Sequence, residues 1–356
     1  MSTVTKEQVL EVLGTVMDPD LGKDIVSLGF ITKNAVCDGL VSVTINLTTP
    51  ACPVKDQLRN EAEQKIRAID GVTDVKLEMT AVPRQVESPR EISPGVRHIV
   101  AISSGKGGVG KSTVACGLAY ALKASGASVG LMDADVYGPS VPHLLGASGE
   151  PTVTELAGPD GEMVQRIQPL EVDGLRLMSM GFHIAEDQAV IWRGPLLHRT
   201  LTQFLQATDW GELDYLVIDM PPGTGDVALT LSQLLSLSGA VIVCTPQKVA
   251  LLDAVKAISM FNQVKIPVLG MVENMSGEMF GQGGARAKAE ELGVPFLGEL
   301  PAEPEVRIRG DAGRISTLIA ADSPVRDQLI AISQRVAIEV ARQVTSGSGL
   351  PDLEIL

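Results

Sequence analysis

Apolar and polar positions change period several times along the first eighty residues, and each change predicts an element. Residues 5–16 are spaced as a helix. Phe30 to Leu47 reads as a hairpin turning at Asp38-Gly39, a pair suited to the positive φ angles of a tight turn. Pro53 to Asp70 predicts an amphipathic helix with proline at its first position, and Val75 to Val82 a further strand. Together these make a small α+β domain over residues 1–82. The segment PRQVESPREISPG then loses all periodicity and carries three prolines, so residues 83–95 read as a linker.

Beyond it the pattern becomes a rhythm. Short aliphatic runs, HIVAISS, SVGLMDAD, YLVIDM, AVIVCT, VLGMVEN and PFLGEL, alternate with helical sequence over residues 96–344. Such alternation predicts an α/β fold with a mostly parallel, doubly wound sheet. Residues 151–180 break the rhythm as a hairpin excursion. The tail, residues 345–356, reads as mobile.

Composition narrows the picture. Apolar residues form 45% of the 356 and aromatics only 3%, so the core is aliphatic, as a helix-covered sheet requires. The 29 basic and 43 acidic side chains leave a net charge of −14, which argues against nucleic-acid binding. The N-terminus lacks the basic flank and apolar stretch of a signal peptide, and no run suits a membrane span. Four separated cysteines without Cys-x-x-Cys fit reduced thiols in the cytoplasm.

The strongest chemical signal is Gly105-Lys106-Gly107-Gly108-Val109-Gly110-Lys111-Ser112-Thr113, a phosphate loop directly after a strand and opening a helix. Its glycines let backbone N–H groups wrap a phosphate at a helix N-terminus. Lys111 can reach the β- and γ-phosphates of ATP, and the Ser112 hydroxyl can ligate Mg²⁺. Asp219, ending the run YLVIDM, stands where a second Mg²⁺-organising carboxylate is needed, and Gly223 beyond it offers an N–H to the γ-phosphate. Asp133 and Asp135 end another strand, and either suits the orientation of an attacking water.

KGGVGKST, LMDADVYGPS and VIDMPPGTGD together resemble the deviant phosphate-loop ATPases related to MinD, ParA and the nitrogenase iron protein, and most closely the Mrp/ApbC family of iron–sulfur cluster carriers. The resemblance covers nearly the whole chain: DPDLGKDIVSLGFI and LTTPACPVKD resemble the small cluster-assembly domain that precedes the ATPase in bacterial members. It implies a slow, Mg-dependent ATPase that assists assembly or transfer of iron–sulfur clusters, acting as a homodimer with cluster donors and client apoproteins. By resemblance, Lys106 reaches the partner subunit's nucleotide, Asp135 orients the water and Asn274 contacts adenine. One departure stands out. The family's interface Cys-x-x-Cys follows the Asn-Met-Ser segment, whereas this chain reads Asn274-Met275-Ser276-Gly277-Glu278-Met279-Phe280-Gly281. Since thiolates hold the iron of such clusters, the remaining candidate ligand is Cys52, expected at a helix N-cap where the dipole favours thiolate. Cys37, Cys116 and Cys244 read as packed small side chains, and the four histidines lack metal-ligand spacing. The alternative, a MinD- or ParA-like switch without cluster chemistry, needs a basic amphipathic terminal helix or a basic face; the tail here is acidic and broken by Pro351.

Overall fold

The structure, a computed structural model, describes residues 4–37, 39–47, 53–81, 95–136, 138–157, 163–183, 204–224, 229 and 236–347. The chain divides into two compact units, Met1–Val86 with Ala337–Leu356, and Glu87–Val336.

In the first unit, α1 (Lys6–Leu13) is opened by a capping box in which Thr5 and Gln8 satisfy each other's backbone N–H. A short pair, β1 (Met17–Asp18) and β2 (Lys23–Asp24), leads to β3 (Ile31–Cys37) and β4 (Leu40–Asn46), antiparallel about Gly39 at φ 82°. Helix α2 (Lys55–Arg67) then crosses over to β5 (Asp74–Thr80), which pairs parallel with β4. Val41, Val43 and Ile45 of β4 face Leu58, Ala62 and Ile66 of α2 in one core cluster, the period of 2 meeting the period of 4. Helix α2 starts later than expected. Its N-cap is Val54, so Pro53 precedes the cap instead of occupying the first helical position.

The second unit is built on an eight-stranded sheet. In chain order its strands and helices are β6 (Val96–Ser103), α3 (Lys111–Ala124), β7 (Val129–Asp133), α4 (Val141–Leu145), the hairpin β8 (Thr152–Ala157) and β9 (Met163–Gln168), then β10 (Leu170–Val172), β11 (Leu175–Ser179), β12 (Leu213–Asp219), β13 (Gly239–Cys244), α5 (Lys248–Gln263), β14 (Val268–Ser276), α6 (Gly284–Leu292), β15 (Phe296–Pro301), α7 (Pro304–Asp311) and the first half of α8 (Arg326–Gly347), whose residues from Ala337 on are counted with the first unit. The sheet order is β10-β11-β7-β12-β6-β13-β14-β15, parallel throughout except for β10 at the edge. This is the α/β sheet that the alternating pattern predicts.

Both faces are covered, which is why β7, β12 and β13 are buried at every position. Ile99, Ala101, Leu216, Ile218, Ala240 and Ile242 pack with Ala254, Ala257 and Phe261 of α5. Their neighbours in sequence, such as Val100, Ile102 and Val217, turn to the opposite face by strand alternation. The break at 151–180 is two hairpins rather than one. The first, β8–β9, forms a separate two-stranded sheet; the second, β10–β11, joins the main sheet beside β7. Helix α8 runs through Gly347, so the expected tail begins inside a helix.

Candidate nucleotide site

The phosphate loop, Asp133, Asp135 and Asp219 lie at the carboxyl ends of the adjacent parallel strands β6, β7 and β12, where open α/β sheets bind ligands. The phosphate loop leaves β6, and α3 begins at Lys111 with Gly110 as a left-handed N-cap at φ 77°. Gly108 is also left-handed, at φ 79°, and a side chain added at Gly107 or Gly108 would meet nothing within 4 Å. The loop's middle is thus open on the side where backbone N–H groups can receive a phosphate. Its ends are not open. A Cβ at Gly105 would lie 2.1 Å from the backbone carbonyl of Asp253 on α5, and one at Gly110 would lie 2.2 Å from Asn274 Nδ2. No acidic residue occupies the first turn of α3, leaving its positive end for an anion.

Lys111 is buried and its ammonium lies 2.6 Å from Asp219 Oδ1 and 4.0 Å from Asp135 Oδ2. Three chain segments separated by up to 108 residues therefore meet at one charge. Asp219 Oδ2 is buried without a hydrogen-bond partner among the described residues. Burial pushes the Asp219 carboxyl up, while Lys111 and the Ser112 hydroxyl hold it down and the Asp135 charge raises it again. A lone carboxylate oxygen beside a serine hydroxyl is a hard-oxygen donor set. It suits a small divalent cation that keeps several of its own waters.

The remaining assignments separate. Gly138 N–H donates to Asp135 Oδ1 at 3.3 Å, and Asp135 is 8% exposed, facing Lys111. The Lys106 ammonium forms no ion pair among the described residues, while its carbonyl accepts from the Ser104 hydroxyl at 2.9 Å. The Gly223 N–H donates to the Ser104 carbonyl at 2.8 Å, at the strand–loop junction of β6. Asn274 is buried and donates from Nδ2 to the Val109 carbonyl at 2.8 Å, which braces the phosphate loop from behind. Val109 is itself buried, and Thr113 follows Ser112 in the first turn of α3.

Cys52 lies outside the described residues, and the N-cap expected of it belongs to Val54. Cys116 and Cys244 are buried as expected, whereas Cys37, the last residue of β3 at the hairpin rim, is exposed. Burial pushes the Cys244 thiol up to about 12 and holds the Cys116 thiol well above its ordinary value. No group of three or more His, Cys, Asp or Glu able to hold a metal ion occurs among the described residues. No described helix is long and apolar enough to cross a membrane.

Sequence reasoning missed two residues that build the site. Glu273, fully buried in β14, accepts from Gly283 N–H and Ala285 N–H at 2.7 Å each and so fixes the start of α6. Ser179 lies beside Asp133 only because β11 pairs with β7, and strand pairing leaves no local signature in sequence.

Comparison with known proteins shows the family and the fold. Residues 95–337 match the family described as NUBPL iron-transfer P-loop NTPase, and residues 6–77 match one described as iron–sulfur cluster assembly protein. An iron–sulfur cluster carrier protein of Deinococcus radiodurans is 45% identical across 97% of this chain and 98% of its own length. Among solved structures, a nucleotide-binding protein from Archaeoglobus fulgidus in complex with ADP is 36% identical, with a TM-score of 0.53 over 62% of this chain and 88% of that one. The cell division ATPase MinD of Pyrococcus furiosus, at 23% identity, has a TM-score of 0.51 over 67% of this chain and 98% of its own and shares the fold.

Proposed function

The chain belongs to the family of iron-transfer P-loop NTPases, here joined to an iron–sulfur cluster assembly domain, and from that premise we propose that it binds and slowly hydrolyses Mg-ATP while carrying iron–sulfur clusters from donors to client apoproteins. One observation carries the nucleotide half: the buried Lys111 ammonium beside Asp219 at the mouth of an open glycine loop. Ser112 and Asp219 would hold Mg²⁺, which would supply positive charge at the transferring phosphoryl group. Lys111 takes the β- and γ-phosphate charge, the N–H groups of residues 107–113 wrap the phosphates, and Asp135 orients the attacking water. Lys106, with no ion pair of its own, adds its charge to the partner's nucleotide once a cytoplasmic homodimer closes.

The cluster is cargo. With no Cys-x-x-Cys in the chain, Cys52 offers one thiolate per subunit, and a cluster needs about four ligands. The other ligands come from a donor, a client or a small thiol, so binding is labile and iron in the purified protein is substoichiometric.

Phosphate release measured across protein concentration tests the nucleotide half. Turnover per subunit should rise with concentration in the parent and stay low in Lys106→Ala, with nucleotide affinity nearly unchanged. Turnover independent of concentration, from a monomer in every nucleotide state, contradicts the shared site.

A further inference from the structure

Asp133 lies two residues from the water-orienting Asp135 in sequence, yet the structure gives it a different task. It is fully buried, and both of its oxygens are taken by the protein. Oδ1 accepts from Asp135 N–H at 3.1 Å. Oδ2 accepts from Val141 N–H at 3.1 Å and from the Ser179 hydroxyl at 3.2 Å. Three hydrogen bonds from the protein thus occupy most of the carboxyl group's acceptor capacity.

The register explains how the cluster forms. Ser179 pairs with Asp133 across β11–β7, and Asp133 pairs with Asp219 across β7–β12. Residues side by side in parallel strands point to the same face, so three polar side chains form one row at the sheet's carboxyl edge. Asp219 ends the row at Lys111. Asp133, in the middle, instead turns back to its own chain. Its carboxylate ties residue 135 and residue 141, the two ends of the segment that carries Asp135 from β7 into α4. Ser179 adds a third segment, because its hydroxyl also accepts from Gly181 N–H at 2.9 Å in the turn leaving β11.

We infer that Asp133 is the positioning residue of the hydrolytic site: its carboxylate closes the 135–141 segment at its base, and so fixes Asp135 relative to Lys111, with Ser179 holding the carboxylate in place. The inference rests on the proposed role of Asp135 in hydrolysis. Its physical logic is that a buried carboxyl group accepting from two backbone N–H groups ties two points of the chain together, and those amides would be left unsatisfied without it. Misplacing a water-orienting group by about 1 Å is worth on the order of 100-fold in rate. Among the described residues the ion pairs of Lys111 go to Asp219 and Asp135, not to Asp133.

The test compares Asp133→Ala, Asp133→Asn, Ser179→Ala, Asp135→Ala and the double Asp133→Ala/Asp135→Ala in the full chain. Asp133→Ala should lower kcat by about 10- to 100-fold and leave KM and nucleotide Kd within about threefold of the parent. Asp133→Asn, which turns an NH2 toward one of the two N–H donors, should fall between it and the parent. Ser179→Ala removes two hydrogen bonds, the one given to Asp133 and the one accepted from Gly181 N–H, without a buried charge change, and should cost a few-fold in kcat. In the double variant, loss of Asp133 should cost no more than about twofold beyond Asp135→Ala, because positioning matters only while Asp135 is present. Hydrogen exchange gives a readout free of turnover: the amides of Asp135 and Val141 should exchange at least tenfold faster in Asp133→Ala, with the amides of α3 unchanged. Full kcat in Asp133→Ala, a multiplicative loss in the double variant, or unchanged exchange at residues 135 and 141 would each overturn the inference. A parent that hydrolyses no ATP, with those amides released in Asp133→Ala all the same, would instead refute the role of Asp135 and leave the tether standing.

Discussion

Lys111→Ala should do more than stop hydrolysis, because in this fold the lysine is the counter-charge of a buried acidic row. Its side chain is 7% exposed, that of Asp219 0% and that of Asp135 11%, with contacts of 2.6 and 4.0 Å. Removing one partner of a buried pair leaves a charge uncompensated, which costs about 3–5 kcal/mol. Each kcal/mol moves the melting point of a unit of this size by about 2–4 °C, so the nucleotide-free variant should melt roughly 6–20 °C below the parent. The companion is Lys111→Ala/Asp219→Asn. A neutral amide no longer needs the ammonium, so the second substitution should restore more than half of the lost melting temperature. Scanning calorimetry without nucleotide at pH 7.5 reads both, and phosphate release well below each melting point shows that lost hydrolysis is not unfolding. A Lys111→Ala variant melting within about 2 °C of the parent, or a double variant as unstable as the two singles summed, would refute the reasoning.

Three further outcomes follow from particular contacts. His98 is buried with Nδ1 unpartnered among the described residues, and burial depresses its imidazole from 6.5 to about 4; the folded state therefore resists protonation, its stability is whole above pH 6.5 and falls as the pH drops to 4, and urea unfolding should show the parent losing about 3 kcal/mol more than His98→Phe over that window. An equal acid loss in both proteins would remove His98 as the cause. Gly105→Ala drives a Cβ to 2.1 Å from the backbone of Asp253, whereas Gly107→Ala meets nothing within 4 Å, so thermal melts should show the first variant clearly destabilised and the second like the parent. In thiol titration of the native protein at pH 7.5, Cys37 should react promptly and Cys116 and Cys244 only on unfolding; rapid labelling of either buried thiol would contradict the packing around α3 and β13.

Much of the frame was legible because it is written in local signals. Alternating aliphatic runs and helices gave the parallel sheet, and the glycine loop between a strand and a helix gave the nucleotide site, since both depend on neighbours in sequence. The start of α2 was misjudged through Pro53, because proline favours the first turn of a helix but also the residues just before its cap. The edge pair β10–β11 escaped notice because its strands are only three and five residues long, too short to show a period. The roles of Asp133, Ser179 and Glu273 were hidden for a different reason. Asp133 and Asp135 look equivalent in the sequence, and only strand register and the return of Val141 to the same carboxylate distinguish the tether from the group facing Lys111. The hydrogen bonds of Gly223 and Asn274 to the carbonyls of Ser104 and Val109 pair separate loops, and no single motif encodes such a pairing.

The central claim, a nucleotide-hydrolysing carrier whose cargo is an iron–sulfur cluster, is tested most directly by anaerobic cluster transfer. The full chain is reconstituted with iron and sulfide, freed of excess reagents, and mixed with an apoenzyme whose activity returns only on acquiring a cluster. Recovery of that activity is then followed with and without Mg-ATP, for the parent, Cys52→Ser and Lys111→Ala. The account predicts substoichiometric iron in the parent, transfer that changes in rate when Mg-ATP is added, no such response in Lys111→Ala, and little cluster loaded or delivered by Cys52→Ser. Transfer by the parent indifferent to nucleotide, together with a stable stoichiometric cluster in Cys52→Ser, would contradict it.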